Sequence, residues 1–354
     1  MKWEGDPSLW GDPQLYSPGL SAITADRQLK RAAENGTVIL AQDNADSRMI
    51  ATEKATGKWF MISGGPDHDQ VYTAMMGAAC GDVAGSVYEW HNIKYKPDQD
   101  RLIRPAARFT DDTVMTCAVA AGLRKGLSQL PENWLDCPEA EEVLRRSVRE
   151  ALLAYGRKYP RAGYGGSFRR WLSAENPQPY NSWGNGSAMR ASYAGWAARS
   201  LEEAEQLGKI SAEVTHNHPE GIKGAAAVAG SIFLLRDGGE KKDIRDYAGK
   251  FYDLNFTLDE IREQYTFDVS CMGSVPQAFN AFLEGNSFGE VIANAISIGG
   301  DSDTIAAIAG SIAEVIYPIP QGLRGRVIDR MDRFLLDTIA DAVDFIYQRT
   351  SGRR

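Results

Sequence analysis

Apolar residues along most of this chain recur at spacings of three and four. Cys117, Ala118 and Ala121 follow Val114 on one helical face, and Ile308, Ile312, Val315 and Ile316 follow Ile305 in the same way. After Val327 the same face carries Met331, Phe334, Leu335 and Ile339. The segments after Pro138, Pro219 and Asp259 keep this period, and Pro219 suits a first turn, where its missing N–H would have no partner anyway. Residues from about 70 to 350 therefore predict a mostly α-helical domain. The run Gly224–Gly230, rich in Ala and Gly, predicts helices whose backbones approach closely at the centre.

The first 68 or so residues break the period. Residues 1–20 hold Trp3, Trp10, Tyr16 and three prolines, and predict an extended, aromatic-studded arm. Residues 37–41 (TVILA) and 59–62 (WFMI) favour strands and are separated by turn formers, which predicts a small hairpin or sheet. The expected division is an N-terminal extension, 1–68, and a helical domain, 69–354.

Composition narrows the partners. With 39 Lys+Arg against 47 Asp+Glu the net charge is −8, so no basic excess is present to offset the phosphates of nucleic acid or of an anionic membrane. The longest nearly continuous apolar stretch, Gly224 to Leu235, has 12 residues and is too short to span a bilayer. The amino terminus lacks a basic segment followed by an apolar one, and a cytoplasmic location is expected. Cys80, Cys117, Cys137 and Cys271 show no CxxC spacing and are read as small apolar residues of a reducing compartment.

Two segments carry the candidate chemistry: Thr110-Asp111-Asp112-Thr113 and Asp301-Ser302-Asp303-Thr304. Each precedes a helical pattern. Capping explains one such residue per helix, because a short oxygen-bearing side chain satisfies free N–H groups there. It explains paired acids less well, since four converging carboxylates repel unless a cation sits among them. Oxygen donors without Cys or His favour Mg²⁺ or Mn²⁺ over Zn²⁺. An EF-hand is excluded, as position twelve after Asp301 is Ile312, not Glu. Four acids with neighbouring hydroxyls can serve two ions, which predicts a dinuclear hydrolase site.

These residues, taken with GAACGDVAGSVYEW (77–90), FTDDT (109–113), SWGNGSAMR (182–190), HNHPEGIKGA (216–225) and ISIGGDSDTIAAIAGSIA (296–313), resemble the landmarks of the ADP-ribosylglycohydrolases in order. The resemblance implies an all-α, compact orthogonal helical bundle, with residues 1–68 as an added, partly β or extended segment. It also implies hydrolysis of the glycosidic bond between ADP-ribose and a protein side chain, with arginine first and ADP-ribosyl-serine or a free ADP-ribose derivative as alternatives.

By the same resemblance, Thr110, Asp111, Asp112, Asp301, Asp303 and Thr304 match ligands of two Mg²⁺ or Mn²⁺ ions. Asp112 or Asp303 is expected to position the attacking water, with Glu89 as the alternative acid/base. Asp82, Asn185, Gly186 and Ser187 match substrate-binding positions, and His218, Gly300 and Ser302 are further substrate-binding candidates. One branch of the family comprises immunity proteins against ADP-ribosyltransferase toxins. The acidic, Trp-bearing residues 1–68 would there bind the toxin, and a stoichiometric toxin inhibitor with secondary catalysis is the rival reading.

Three further clusters stay open. His216 and His218 are read either as helix-entry hydrogen bonders or as substrate contacts. Gly163 to Arg170 (GYGGSFRR) is either a pyrophosphate cradle or a bare surface loop, and Asp67-His68-Asp69 reads as a solvated linker.

Overall fold

The computed structural model describes residues 2–5, 38–43, 48–53, 59–63, 74–137 and 139–350. The chain divides into two compact units, residues 1–73 with 343–354, and residues 74–342. In the first, β1 (Lys2–Gly5), β2 (Val38–Asp43), β3 (Arg48–Glu53) and β4 (Trp59–Ser63) form an antiparallel sheet in the order β1-β4-β3-β2. Val38 pairs with Glu53, Met49 with Ile62, and Trp3 with Ile62 from the other side. Residues 38–41 and 59–62 of the β-favouring runs thus fall in β2 and β4. The rest of the arm and Asp67-His68-Asp69 lie outside the described residues.

The second unit is helical, as the period predicts. Its helices are α1 (Met76–Gly85), α2 (Asp111–Leu127), α3 (Ala140–Lys158), α4 (Gly166–Ser173), α5 (Ser192–Ala197), α6 (Leu201–Glu213) and α7 (Pro219–Arg236). They are followed by α8 (Lys241–Ala248), α9 (Leu258–Ile261), α10 (Cys271–Glu284), α11 (Phe288–Ser297), α12 (Ser302–Ala313), α13 (Gln321–Ile328) and α14, which begins at Arg333 and runs to Thr350.

At the centre α1 lies against α12, and every residue of both helices is buried. Glycine makes this contact possible. Gly81 and Gly85, one turn apart on α1, meet the α12 backbone so closely that a Cβ on Gly81 would fall 2.0 Å from the carbonyl oxygen of Ala306. A Cβ on Gly85 would fall 2.4 Å from the Cα of Asp303. The start of α12 is therefore fixed in height against α1. Glu314, just past α12, accepts the free N–H groups of Met75 and Gly77 at 2.9 Å each and so closes the N-terminus of α1, which has no cap of its own. Close backbone packing also holds for α7, where the Gly208 backbone of α6 approaches the carbonyl of Ala225.

The helical period overran the real ends in places. Since α12 stops at Ala313, Val315 and Ile316 lie beyond it and Ile316 is exposed. Phe334 is likewise exposed, with its ring against Tyr155 and beneath the Lys158 ammonium. After Asp259 only the single turn of α9 forms, closed by a capping box between Thr257 and Glu260. No helix among the described residues is long and apolar enough to cross a membrane. All four cysteines are free; three are buried and Cys137 is half-buried.

Candidate functional site

The site is built on Asp82, in the middle of α1. Its carboxylate accepts from Thr110 N at 2.8 Å, Thr110 Oγ1 at 2.7 Å, Thr113 N at 3.0 Å and the Thr113 hydroxyl. These four bonds fasten the first turn of α2 to α1. Asp82 is fully buried and lies behind the cavity described below, so the structure gives it an anchoring place, not a lining one. Thr110 caps α2 and stands 3.3 Å from Asp112 through its hydroxyl.

The second acidic run enters from the start of α12. Gly299 and Gly300 carry φ of +73° and +69°, a left-handed backbone that favours glycine, and the Gly300 N–H donates to Asn92 Oδ1 at 3.2 Å. This sharp entry turns Asp301 and Asp303 towards α2. Ser302 points away and donates to the carbonyl of Gly85 at 3.1 Å. Thr304 Oγ1 donates to Asp112 Oδ2 at 3.2 Å, and Asn185 Nδ2 donates to Asp301 Oδ2 at 2.7 Å.

The two runs, distant in sequence, therefore meet. Carboxylate oxygens of Asp82, Asp112 and Asp303 lie within 4.8 Å of one another, and so do those of Glu89, Asp301 and Asp303. Asp303 belongs to both groups. Asp111 belongs to neither and borders the Gly163 loop instead. Burial, followed by the charges of neighbouring acids, pushes the Asp112 and Asp303 carboxyls well above the usual carboxylate range. Burial and then the charge of Asp82 raise Asp111 to about 8, and burial with Asp301 raises Glu89 to about 7, against the pull of Arg108. Oδ1 of Asp112 is buried without any hydrogen-bond partner. Crowded acids with an orphaned oxygen and only oxygen donors fit hard divalent cations.

A cavity of about 490 Å³ opens above this cluster. Glu89, Asp112, Asp301, Asp303 and Thr304 lie on one side of it, with the Gly163–Arg169 loop and the Asn185–Gly186 turn on others. That turn is held by Asn185 N donating to the Val269 carbonyl at 2.7 Å. Ser187 sits beneath it, donating to the Gly221 carbonyl at 2.7 Å, and does not line the space. Arg170 also stays outside, bonded to Ser167.

The two candidate histidines separate. His216 lines the cavity and is buried, whereas His218 caps α7 by accepting from Glu220 N at 3.1 Å. Sequence reasoning did not single out Arg190, buried at the cavity wall, or the pair Trp90 and Phe267 at its mouth. Those rings stack at 5.1 Å with 18° between planes, although Trp90 is 74% exposed. Arg190 closes the motif SWGNGSAMR, but nothing in that string signals a buried guanidinium.

The family model for ADP-ribosylglycohydrolase matches residues 65–353, and the chain belongs to that family. Among curated relatives, the ADP-ribosylhydrolase ARH3 of Mus musculus is 25% identical, with 70% of this chain and 83% of that protein covered. The ADP-ribosyl-[dinitrogen reductase] glycohydrolase of Rhodospirillum rubrum is 24% identical, over 77% and 95%. The ADP-ribosylarginine hydrolase Tri1 of Pseudomonas putida is 24% identical, over 71% of each. A solved ADP-ribosylglycohydrolase-related protein complex shares the fold, with a TM-score of 0.55 at 20% identity, covering 78% of this chain and 96% of that one.

Proposed function

We propose that this chain is a divalent-cation-dependent hydrolase that releases ADP-ribose from modified arginine side chains. The observation that carries this is the convergence of Glu89, Asp112, Asp301 and Asp303 beside a cavity large enough for a nucleotide sugar. The arginine assignment is supported by the name of the Pseudomonas putida relative. Asp112 and Asp303, with Asp301 and Glu89, would hold two Mg²⁺ or Mn²⁺ ions, with the hydroxyls of Thr110 and Thr304 and the carboxylate of Asp111 beside them. Such ions supply charge to orient the ribose diol and to acidify water.

The chain's own residues do the rest. Asn185 fixes the rotamer of Asp301 by its 2.7 Å bond, and Thr304 fixes that of Asp112. As the anomeric bond breaks, positive charge develops on the sugar ring, and the acidic floor stabilises it. Asp112 or Asp303 orients the attacking water. Glu89, raised to about 7, is the alternative group to take a proton from that water. Gly163 to Gly166 and Gly186 offer backbone at the cavity wall for the rest of the nucleotide, with Gly300 and Ser302 shaping the entry of the acidic run.

The test is incubation with a protein carrying ADP-ribose on arginine, with and without Mg²⁺. Release of intact ADP-ribose only with the cation is expected. Release of AMP, or release from a serine-linked substrate alone, would contradict the assignment.

Residues 1–64 lie outside the family match and contain the four strands found among the described residues. That observation sets residues 1–68 apart as an extension to the hydrolase domain, 69–354, and by the resemblance to the toxin-immunity branch we propose that it binds an ADP-ribosyltransferase toxin and occupies its NAD-binding cleft. Deleting 1–68 should then abolish toxin binding and spare hydrolysis, while Asp303→Asn should do the reverse. Undiminished toxin binding by the truncated chain would remove this role.

A further inference from the structure

Arg190 is 1% exposed, and among the described residues the charged neighbour that acts on it is the Tyr180 phenol, not a carboxylate. Its Nη2 donates to the carbonyl of Ser211 at 3.1 Å and to Thr215 Oγ1 at 2.8 Å, and its Nε has no partner. Burial lowers the guanidinium only to about 10, so it remains a cation at neutral pH. Thr215 Oγ1 in turn lies 2.7 Å from His216 Nδ1. Thr215 is fully buried and His216 nearly so, and both Arg190 and His216 border the cavity.

The direction of this chain follows from donor counting. A guanidinium has donors only, so Thr215 Oγ1 must accept from Arg190 and keeps one hydrogen to give. Two bases stand near that hydrogen: the imidazole Nδ1 and the phenol oxygen of Tyr180. An imidazole nitrogen is much the stronger acceptor. The hydroxyl therefore donates to Nδ1, and the single hydrogen of the neutral ring sits on Nε2. Nε2 faces the glycine turn at the cavity wall, 3.4 Å from where a Cβ on Gly184 would be and 3.3 Å from one on Gly186.

We propose that Arg190 and Thr215 are positioning residues that lock His216 as the Nε2–H tautomer, which presents one fixed donor to a phosphate oxygen of the nucleotide. A phosphate is the class selected because the buried guanidinium behind the donor has no anion of its own. The ligand half of this inference rests on the ADP-ribose reading of the cavity; the tautomer half does not.

Two measurements on the full-length chain test it. The ¹⁵N shifts of His216 in the ligand-free wild type report the tautomer directly: an unprotonated Nδ1 is expected, and a protonated Nδ1 overturns the lock. Calorimetry with ADP-ribose and with adenosine then compares Thr215→Val with Thr215→Ser.

Valine should weaken ADP-ribose about tenfold, leave adenosine unchanged and mix the two tautomers, while serine restores the wild-type pattern. Equal losses for both ligands, or none, overturn the phosphate contact. If Thr215→Val fails to fold, Thr215→Ser and the wild-type shifts still decide the tautomer. If wild-type protein binds no ADP-ribose, the ADP-ribose reading fails, whatever the ring shows.

Discussion

The hydroxyl of Thr304 donates to Oδ2 of Asp112 at 3.2 Å, across 192 residues of chain. This bond joins the first turns of α12 and α2 and leaves Oδ1 of Asp112 free to meet a cation. Groups that orient a ligand carboxylate typically change metal affinity ten- to a hundredfold when removed. Thr304→Val should therefore weaken Mg²⁺ binding by at least about tenfold, and Thr304→Ser should retain it. Titration calorimetry distinguishes the two, and equal affinities would show that the bond has no such effect.

Asp303 belongs to both carboxylate groups. Without a cation it adds repulsion: burial, and then the charges of the four acids Asp301, Asp112, Glu89 and Asp82, raise it well above its ordinary range. Asp303→Asn should thus melt no lower than wild type in EDTA, while losing the rise that Mg²⁺ gives the wild type. A single ion present at a hundred times its Kd should give the wild type about 2.7 kcal/mol, which thermal melts with and without Mg²⁺ measure. An undiminished rise in the variant would move the ion elsewhere.

Gly85 sets the approach of α1 to the start of α12. A methyl group there meets backbone at 2.4 Å, and backbone cannot turn aside as a flexible side chain can. Gly85→Ala should cost about 3 kcal/mol, at the upper end for an overpacked core, and should reduce Mg²⁺ affinity by displacing Asp303. Urea unfolding gives the first figure, and calorimetry the second.

His216 makes stability depend on pH in a defined direction. Burial, with the charge of Arg190, holds its imidazole well below the usual range, whereas in the unfolded chain it titrates near 6.5. Below that pH the unfolded state binds a proton that the folded state refuses. The contribution is complete above about pH 6.5 and is lost as pH falls, by up to about 1.4 kcal/mol per unit. Urea unfolding at pH 7.5 and 5.5 should show a loss that His216→Gln reduces by about 1 kcal/mol. The same loss in both proteins would place the ring in solvent.

Much of the helical unit is legible from apolar spacing, because α2, α3, α7 and α12 each keep the helical period. α1 is not: GAACGDVAG is apolar nearly all round, so a helix buried on every side shows no stripe. β3, RMIATE, mixes polar and apolar residues, and only pairing with its neighbours reveals it. Adjacent acids before a helix mark the site because capping needs just one. The anchoring place of Asp82 depends on Thr110 and Thr113 arriving from another helix, and no local pattern encodes that meeting. His216 and His218 look alike in sequence; only burial assigns one to the cavity and the other to a helix cap.

The most direct measurement is an anomalous difference map from crystals of the full-length chain soaked in Mn²⁺, collected beside a map from Asp303→Asn. Peaks lying between Asp112, Asp303, Asp301 and Glu89 in the wild type, and lost in the variant, are the expected result. A wild-type map without density among these carboxylates, at Mn²⁺ concentrations that support hydrolysis, would contradict the shared cation centre.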